Sequence, residues 1–225
     1  MFIGHFGIGF AAKRVAPRAS LPVLLLAPQF LDVLWPIFNA AGIERMSILP
    51  GATAASPLVL EYIPYSHSLV AALVWSVVFG GVYAAATRDR RTAIVLALCV
   101  MSHWVLDWIA HAPDMPIVSG NGPRFGLGLW NSIPATVIVE ELLLFGGALL
   151  YAKVTRPRDR IGGVALWVLV GALAVMHVGA IFGPPPPSVA AMLGISFAAF
   201  SLLGVAWWND RHRENRPAAD LVTRR

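Results

Sequence analysis

TAIVLALCVMSHWVLDWIAH, residues 92–111, decides the fold. About 20 apolar residues cross the hydrocarbon core of a bilayer, so this run reads as a membrane-spanning helix. Three of its residues break the apolar pattern: His103, Asp107 and His111. An ionisable side chain at membrane depth costs about 3 kcal/mol or more, so it faces a protein interior, a partner or a functional cavity. His103 and Asp107 lie one turn apart on one helix face. Imidazole with carboxylate suits Zn²⁺, Mn²⁺ or Fe²⁺ better than Ca²⁺, which prefers oxygen ligands. His111 continues the face with about 80° of drift. It sits near the mouth of the helix, either behind the ligands or facing a substrate.

Working outward, further apolar runs cover 21–40, 66–87, 132–153, 161–182 and 187–208. Of 225 residues, 57% are hydrophobic and only 13% are charged, where a soluble domain carries about a quarter. The expected class is an all-α polytopic transmembrane bundle with six long spans and a short N-terminal helical arm. Residues 1–208 form one integral membrane domain and 209–225 a basic tail. The net charge of +5 does not indicate nucleic acid. Its basic residues cluster at Lys13/Arg14/Arg18, Arg88/Arg90/Arg91, Lys153/Arg156/Arg158/Arg160 and Arg211/Arg213/Arg216, each at the edge of an apolar run. That is the positive-inside pattern, and it puts the C-terminus in the cytoplasm. Cys99 has no partner, so no intramolecular disulfide forms. In segment 2–12 the charges follow the apolar stretch, which is not the order of a signal peptide.

Segment 2–12 is short for a span, and two placements compete: a surface helix, or an arm entering from outside and returning at Lys13/Arg14. Depth favours the arm. At ~1.5 Å per residue, His5, Asp32, His103, Asp107, Glu140 and Glu141 all lie ~18–24 Å from the cytoplasmic turns. They then share a level in the outer half of the membrane. Asp32 is bracketed by Pro28 and Pro36, which free backbone carbonyls; a metal or histidine contact resolves its charge, and a neutral hydrogen-bonded acid is the alternative. In Ser66-His67-Ser68, Ser66 is the expected N-cap. His67 then lies in the first turn, where the helix dipole favours the neutral, ligating imidazole; an interfacial, wetted histidine is the alternative. Glu140 and Glu141 diverge by about 100°, so one at most points into a site. Glu140 is the preferred general base. Segment 111–132 is either a lid, with Arg124 meeting an anionic headgroup, or a plain connection. His177 reads as a core or interface residue.

The elements Gly4-His5, Asp32, Ser66-His67-Ser68 and His103-x-x-x-Asp107, in that order, resemble the membrane-bound metal-dependent hydrolase family of bacterial inner membranes. That family's ligand set is similar to that of zinc-dependent phospholipase C. The resemblance covers about the first half of the chain. It implies metal ligation by His5, Asp32, His67, His103 and Asp107, with one or two ions, zinc first and Mn or Fe as alternatives. Two departures stand out: Val33-Leu34 where many relatives carry a second acid and a histidine, and Ile63-Pro64-Tyr65 where basic residues often precede the T/S-H-S element.

The expected function is a metal-dependent hydrolase of the bacterial inner membrane, acting on a lipid-like phosphoester or acyl ester from the outer-leaflet side. Its partner would be a membrane lipid or an amphipathic small molecule. Two other classes remain open. Intramembrane His and Asp chains also build ion pathways, and such a set can simply lock helices together.

Overall fold

The computed structural model describes residues 1–119 and 122–217. A short helix α1 (Ile3–Ala12) turns into α2 (Leu21–Ala40), which is followed by a hairpin of β1 (Arg45–Ile48) and β2 (Leu58–Tyr62). Next come α3 (Leu69–Thr87) and α4 (Arg90–Ala110), then a two-residue ladder of β3 (Met115–Pro116) and β4 (Arg124–Phe125). The chain continues through α5 (Ile133–Val154), β5 (Thr155–Pro157), α6 (Arg160–Phe182), α7 (Val189–Ala199), α8 (Ser201–Arg211) and β6 (Arg213–Asn215).

Six stretches are long and apolar enough to cross a membrane, with α7 and α8 together making the last. The protein is a multi-pass α-helical membrane protein. Its outward faces carry large apolar side chains such as Val77, Val82 and Leu142, as a surface against hydrocarbon requires.

Hydroxyl and carboxylate side chains start most spans. Ser68 caps α3 by accepting from Ala71 N–H, Asp89 caps α4 through Thr92 N–H, and Ser132 caps α5. Each satisfies a backbone donor that has no partner within its helix. The expected cap at Ser66 is corrected to Ser68. His67 therefore precedes α3 rather than occupying its first turn, and the dipole argument for its protonation state does not apply.

Two buried cores flank α1. Ile3, Phe6 and Phe10 face the core shared with α5, α6 and α8, while Ile8 and Ala12 pack toward the core of α2, α3 and α4. His5 precedes Ile8 by three and Ala12 by seven positions, the spacing of one helix face. It therefore points at α4. The closest helix contact is between α1 and α5, where Gly7 and Gly147 meet backbone to backbone and a Cβ on either would overlap the other strand of chain.

The polar end of the chain is tied down further than a solvated tail would be. Asn209–Arg211 complete α8, and Arg213–Asn215 pair with Thr155–Pro157. Arg213 donates to Thr155 Oγ1 and to the Gly162 carbonyl. Residues 218–225 of the expected tail lie outside the described residues.

Candidate metal centre

Four elements deliver the cluster. α1 supplies His5, α2 supplies Asp32, the turn between β2 and α3 supplies His67, and α4 supplies His103 and Asp107. All but Asp32 are buried to 2% exposure or less. Ligand atoms of His5, His103 and Asp107 lie within 4.8 Å of one another, and so do those of Asp32, His67 and His103. The two groups share His103. Measured singly, His5 Nε2 is 3.1 Å from Asp107 Oδ1, and His103 Nε2 is 3.0 Å from Asp107 Oδ2. Asp32 Oδ1 is 3.5 Å from His67 Nε2 and 3.7 Å from His103 Nε2. The His5 ring stacks on that of His103, centroids 3.9 Å apart. The five residues carried over by resemblance thus meet at one place.

Hydrogen bonds behind the rings set the tautomers. His103 Nδ1 is 2.6 Å from the Pro28 carbonyl, which can only accept, so Nδ1 carries the proton. The carbonyl used is that of Pro28 itself. The carbonyl that Pro28 deprives of its helical donor is that of Leu24, and Gly9 packs against it. His67 Nδ1 is 2.7 Å from Ser66 Oγ, and Ser66 donates its own proton to Glu44 Oε2 at 2.6 Å. The hydroxyl can then only accept from His67, which again places the proton on Nδ1. Glu44 is held in turn by the N–H groups of Tyr65 and Ser66, both on Oε1.

Glu44 is the residue that sequence reasoning missed. It is 1% exposed. Gly42, at φ +71°, ends α2 in the left-handed conformation that glycine adopts freely, and the reversal folds Glu44 under Ser66. The glycine two positions earlier was the one available signal.

With both Nδ1 atoms donating, the Nε2 atoms of His67 and His103 present lone pairs toward each other at 3.2 Å, beside two carboxylates. In a buried site such a convergence calls for a positive charge among the acceptors, either a bound cation or a second proton on one of the rings. The residues fit a divalent ion that takes nitrogen and oxygen ligands.

The remaining candidates fall around this cluster. His111 caps the C-terminal end of α4, with Nε2 3.8 Å from Asp107 Oδ1, Nδ1 3.1 Å from Asp114 and its ring against Trp130. Glu140 accepts from Phe2 N–H at 2.8 Å and Gly4 N–H at 3.3 Å through Oε2, capping α1 from across the bundle. Its Oε1 faces His177 Nε2 at 3.7 Å. Glu141 reaches the other nitrogen of the same ring, His177 Nδ1, at 3.2 Å and does not border the cavity described next. Arg124 is spent on the carbonyls of Leu60 and Glu61 and does not border it either.

That cavity, about 480 Å³, opens from the centre into the bundle. Asp32, His67, Asp107, His111 and Glu140 border its polar end, and Met192, Ile195 and Leu203 are among the apolar residues of α7 and α8 that wall the rest. Trp130, which follows α4 in the chain, lines the cavity, and its carbonyl accepts from Ala55 N–H.

Comparison with protein-family models, with curated proteins and with solved structures finds no match to this chain.

Proposed function

We propose that the protein is a membrane-embedded, metal-dependent hydrolase of a lipid-like phosphoester or acyl ester. The observation that carries the proposal is the convergence of the His67 and His103 lone pairs with Asp32 and Asp107 at the polar end of an apolar-walled cavity. His5, His103 and Asp107 would hold one ion, and Asp32 and His67 would complete its shell or hold a second without His103, whose one free nitrogen serves a single ion. Zinc suits this mixed imidazole and carboxylate set best. When bound, the ion supplies Lewis acidity and lowers the pKa of water toward about 7.

The chain's own residues supply the rest. Glu140 is anchored through Oε2 by α1, so its Oε1 is held in place to accept a proton from the attacking water. His111 and Trp130, in ring contact, line the cavity and would orient the polar part of a substrate. The apolar walls would hold its hydrocarbon part and exclude bulk water. The likeness in motif order to the inner-membrane hydrolase family supports the same reading. With it go a bacterial inner-membrane location, a cytoplasmic C-terminus and a substrate entering from the outer leaflet.

An ion pathway would need polar groups continuing beyond the cluster. Below it the helices bury Phe10, Leu21, Leu24 and Leu25 instead. The test is product release from a panel of phospholipids, isoprenoid phosphates and acyl esters by zinc-loaded protein. Glu140→Gln should keep the metal and lose activity, because an amide cannot take up a proton at neutral pH. Release of nothing by the zinc-loaded wild type from any of these esters removes the hydrolase reading.

A further inference from the structure

Hydrolysis of either ester class leaves an acid product, and that acid gives up a net proton inside a cavity whose walls are mostly apolar. For an acyl ester, ester and water become carboxylate, alcohol and one proton. The proton needs a way out.

Beside Glu140 lies a group that the metal centre does not use. His177, in α6, is 2% exposed. Its Nδ1 is 3.2 Å from Glu141 Oε1, and its Nε2 faces Glu140 Oε1 at 3.7 Å without any hydrogen-bond partner. The side chain also borders the cavity and sits against the Phe2 ring. A buried, unpaired imidazole nitrogen between two carboxylates is costly as a mere packing element. Glu141 differs from Glu140 in this row: its side chain is 19% exposed, against 1%, while its Oε2 is buried without a hydrogen-bond partner, so the carboxyl must rotate before it releases a proton. It lies eight residues into α5, ~12 Å along the helix from Ile133 at ~1.5 Å per residue. That is within reach of the headgroup level.

We propose that Glu140, His177 and Glu141 form a proton relay leading from the cavity to the surface of the bundle. Glu140 Oε1 takes a proton from water and passes it to His177 Nε2. His177 releases the proton on Nδ1 to Glu141 Oε1, and Glu141 gives it to the interface. Only O–H and N–H bonds change, and one proton leaves per ester cleaved. The two nitrogens of imidazole let one proton enter as another leaves, and a turn of the ring about its Cβ–Cγ bond then restores Nδ1–H beside Glu141 for the next turnover. The direction of use rests on the hydrolase reading; the arrangement of the three residues does not.

The test has two arms. In metal-free protein labelled with ¹⁵N-histidine, the His177 signal, assigned by its loss in His177→Asn, should show the proton on Nδ1. Glu141→Gln should move that proton toward Nε2, because an amide N–H can replace the carboxylate. In zinc-loaded protein, His177→Ala should keep its metal and lose about 10²-fold or more in turnover in weak buffer. Added imidazole should restore much of the loss, which a purely structural role would not allow. His177 signals unaffected by Glu141→Gln overturn the relay, whatever the protein's activity. Turnover lost in His177→Ala and not restored by imidazole, with Glu141→Gln as active as wild type, overturns it as well. An inactive wild type would sink the hydrolase reading alone, and the NMR arm would still decide the relay.

Discussion

Nε2 of His67 and Nε2 of His103 stand 3.2 Å apart while the Nδ1 of each ring is already donating, one to Ser66 and one to the Pro28 carbonyl. Two imidazoles so fixed are arranged as a pair of ligands for the proposed ion would be. Removing either ring, or Asp107, removes the pair. His103→Ala, His67→Ala and Asp107→Ala should each lose most of the zinc bound by purified protein. A ligand at 1,000 times its Kd adds about 4 kcal/mol to the folded state, so zinc should raise the unfolding temperature of wild type and not of these variants. Elemental analysis decides it: full metal content in His103→Ala refutes the site.

Glu44 offers a subtler test, because its removal touches no ligand. In Glu44→Gln an amide N–H would point at Ser66 Oγ, turning the hydroxyl proton toward His67 Nδ1. His67 would then carry its proton on Nε2, and the lone pair would be gone. Partners behind metal-bound histidines typically contribute about 10–100-fold in affinity. A competition titration with a zinc chelator should show a loss of that order, although Glu and Gln have nearly the same shape. Equal affinities would show that Ser66 does not set the tautomer.

The contact between Gly7 and Gly147 predicts a sharp contrast between neighbours. A Cβ at Gly147 meets the Gly7 backbone, while one at Gly146 meets nothing within 4 Å. Gly146→Ala should be neutral or slightly stabilising, since Ala is the better helix former. Gly147→Ala should destabilise by about 1–3 kcal/mol through overpacking and loosen α1. Thermal unfolding in detergent measures both, and metal content should fall only in Gly147→Ala. Similar stabilities for the two variants would mean that α1 does not pack as described.

Asp159, which lies just before α6, gives a pH dependence. It caps α6 through Gly162 N–H and contacts His212 Nδ1 at 2.7 Å. The bond to His212, followed by that to Gly162, holds its carboxyl below the ordinary value of 3.8. A lowered folded-state pKa contributes stability that is present above 3.8 and lost as pH falls through the folded value. Wild type should therefore loosen at the α6 terminus in acid, with faster hydrogen exchange near Gly162. Asp159→Asn should show little change over the same range. Identical acid profiles would remove the cap from the account.

Much of this was legible because it follows from helix periodicity and depth. The spans are long apolar runs, His103 and Asp107 share a face by their spacing, and His5 reaches their level once α1 is an arm. What escaped depends on contacts between elements distant in sequence. Ser66 and Ser68 are equally good caps on paper. Only the end of β2 and the position of Glu44 make Ser68 the cap and free Ser66 to hold His67. Glu44 itself looks like an ordinary loop acid. His177 looked like core filling because its partners sit 36 residues away on another helix. The capping of α1 by Glu140 was hidden for the same reason, since it needs the Gly7–Gly147 approach first.

Helix α1 has ten residues, ~15 Å at ~1.5 Å each, too short to cross the hydrocarbon core unaided. Its backbone amides at Phe2 and Gly4 are satisfied by Glu140, and its closest contacts are with α5. During synthesis α1 emerges well before α5 exists. Until then α1 can pack only on α2 and α4, through Gly9 against Leu24 and His5 against His103 and Asp107, and its N-terminal amides have no acceptor. The support of the cluster is therefore completed late, after the fourth long span has been inserted. A chain interrupted before that point would carry His67, His103 and Asp107 in the membrane with one wall of the site still missing.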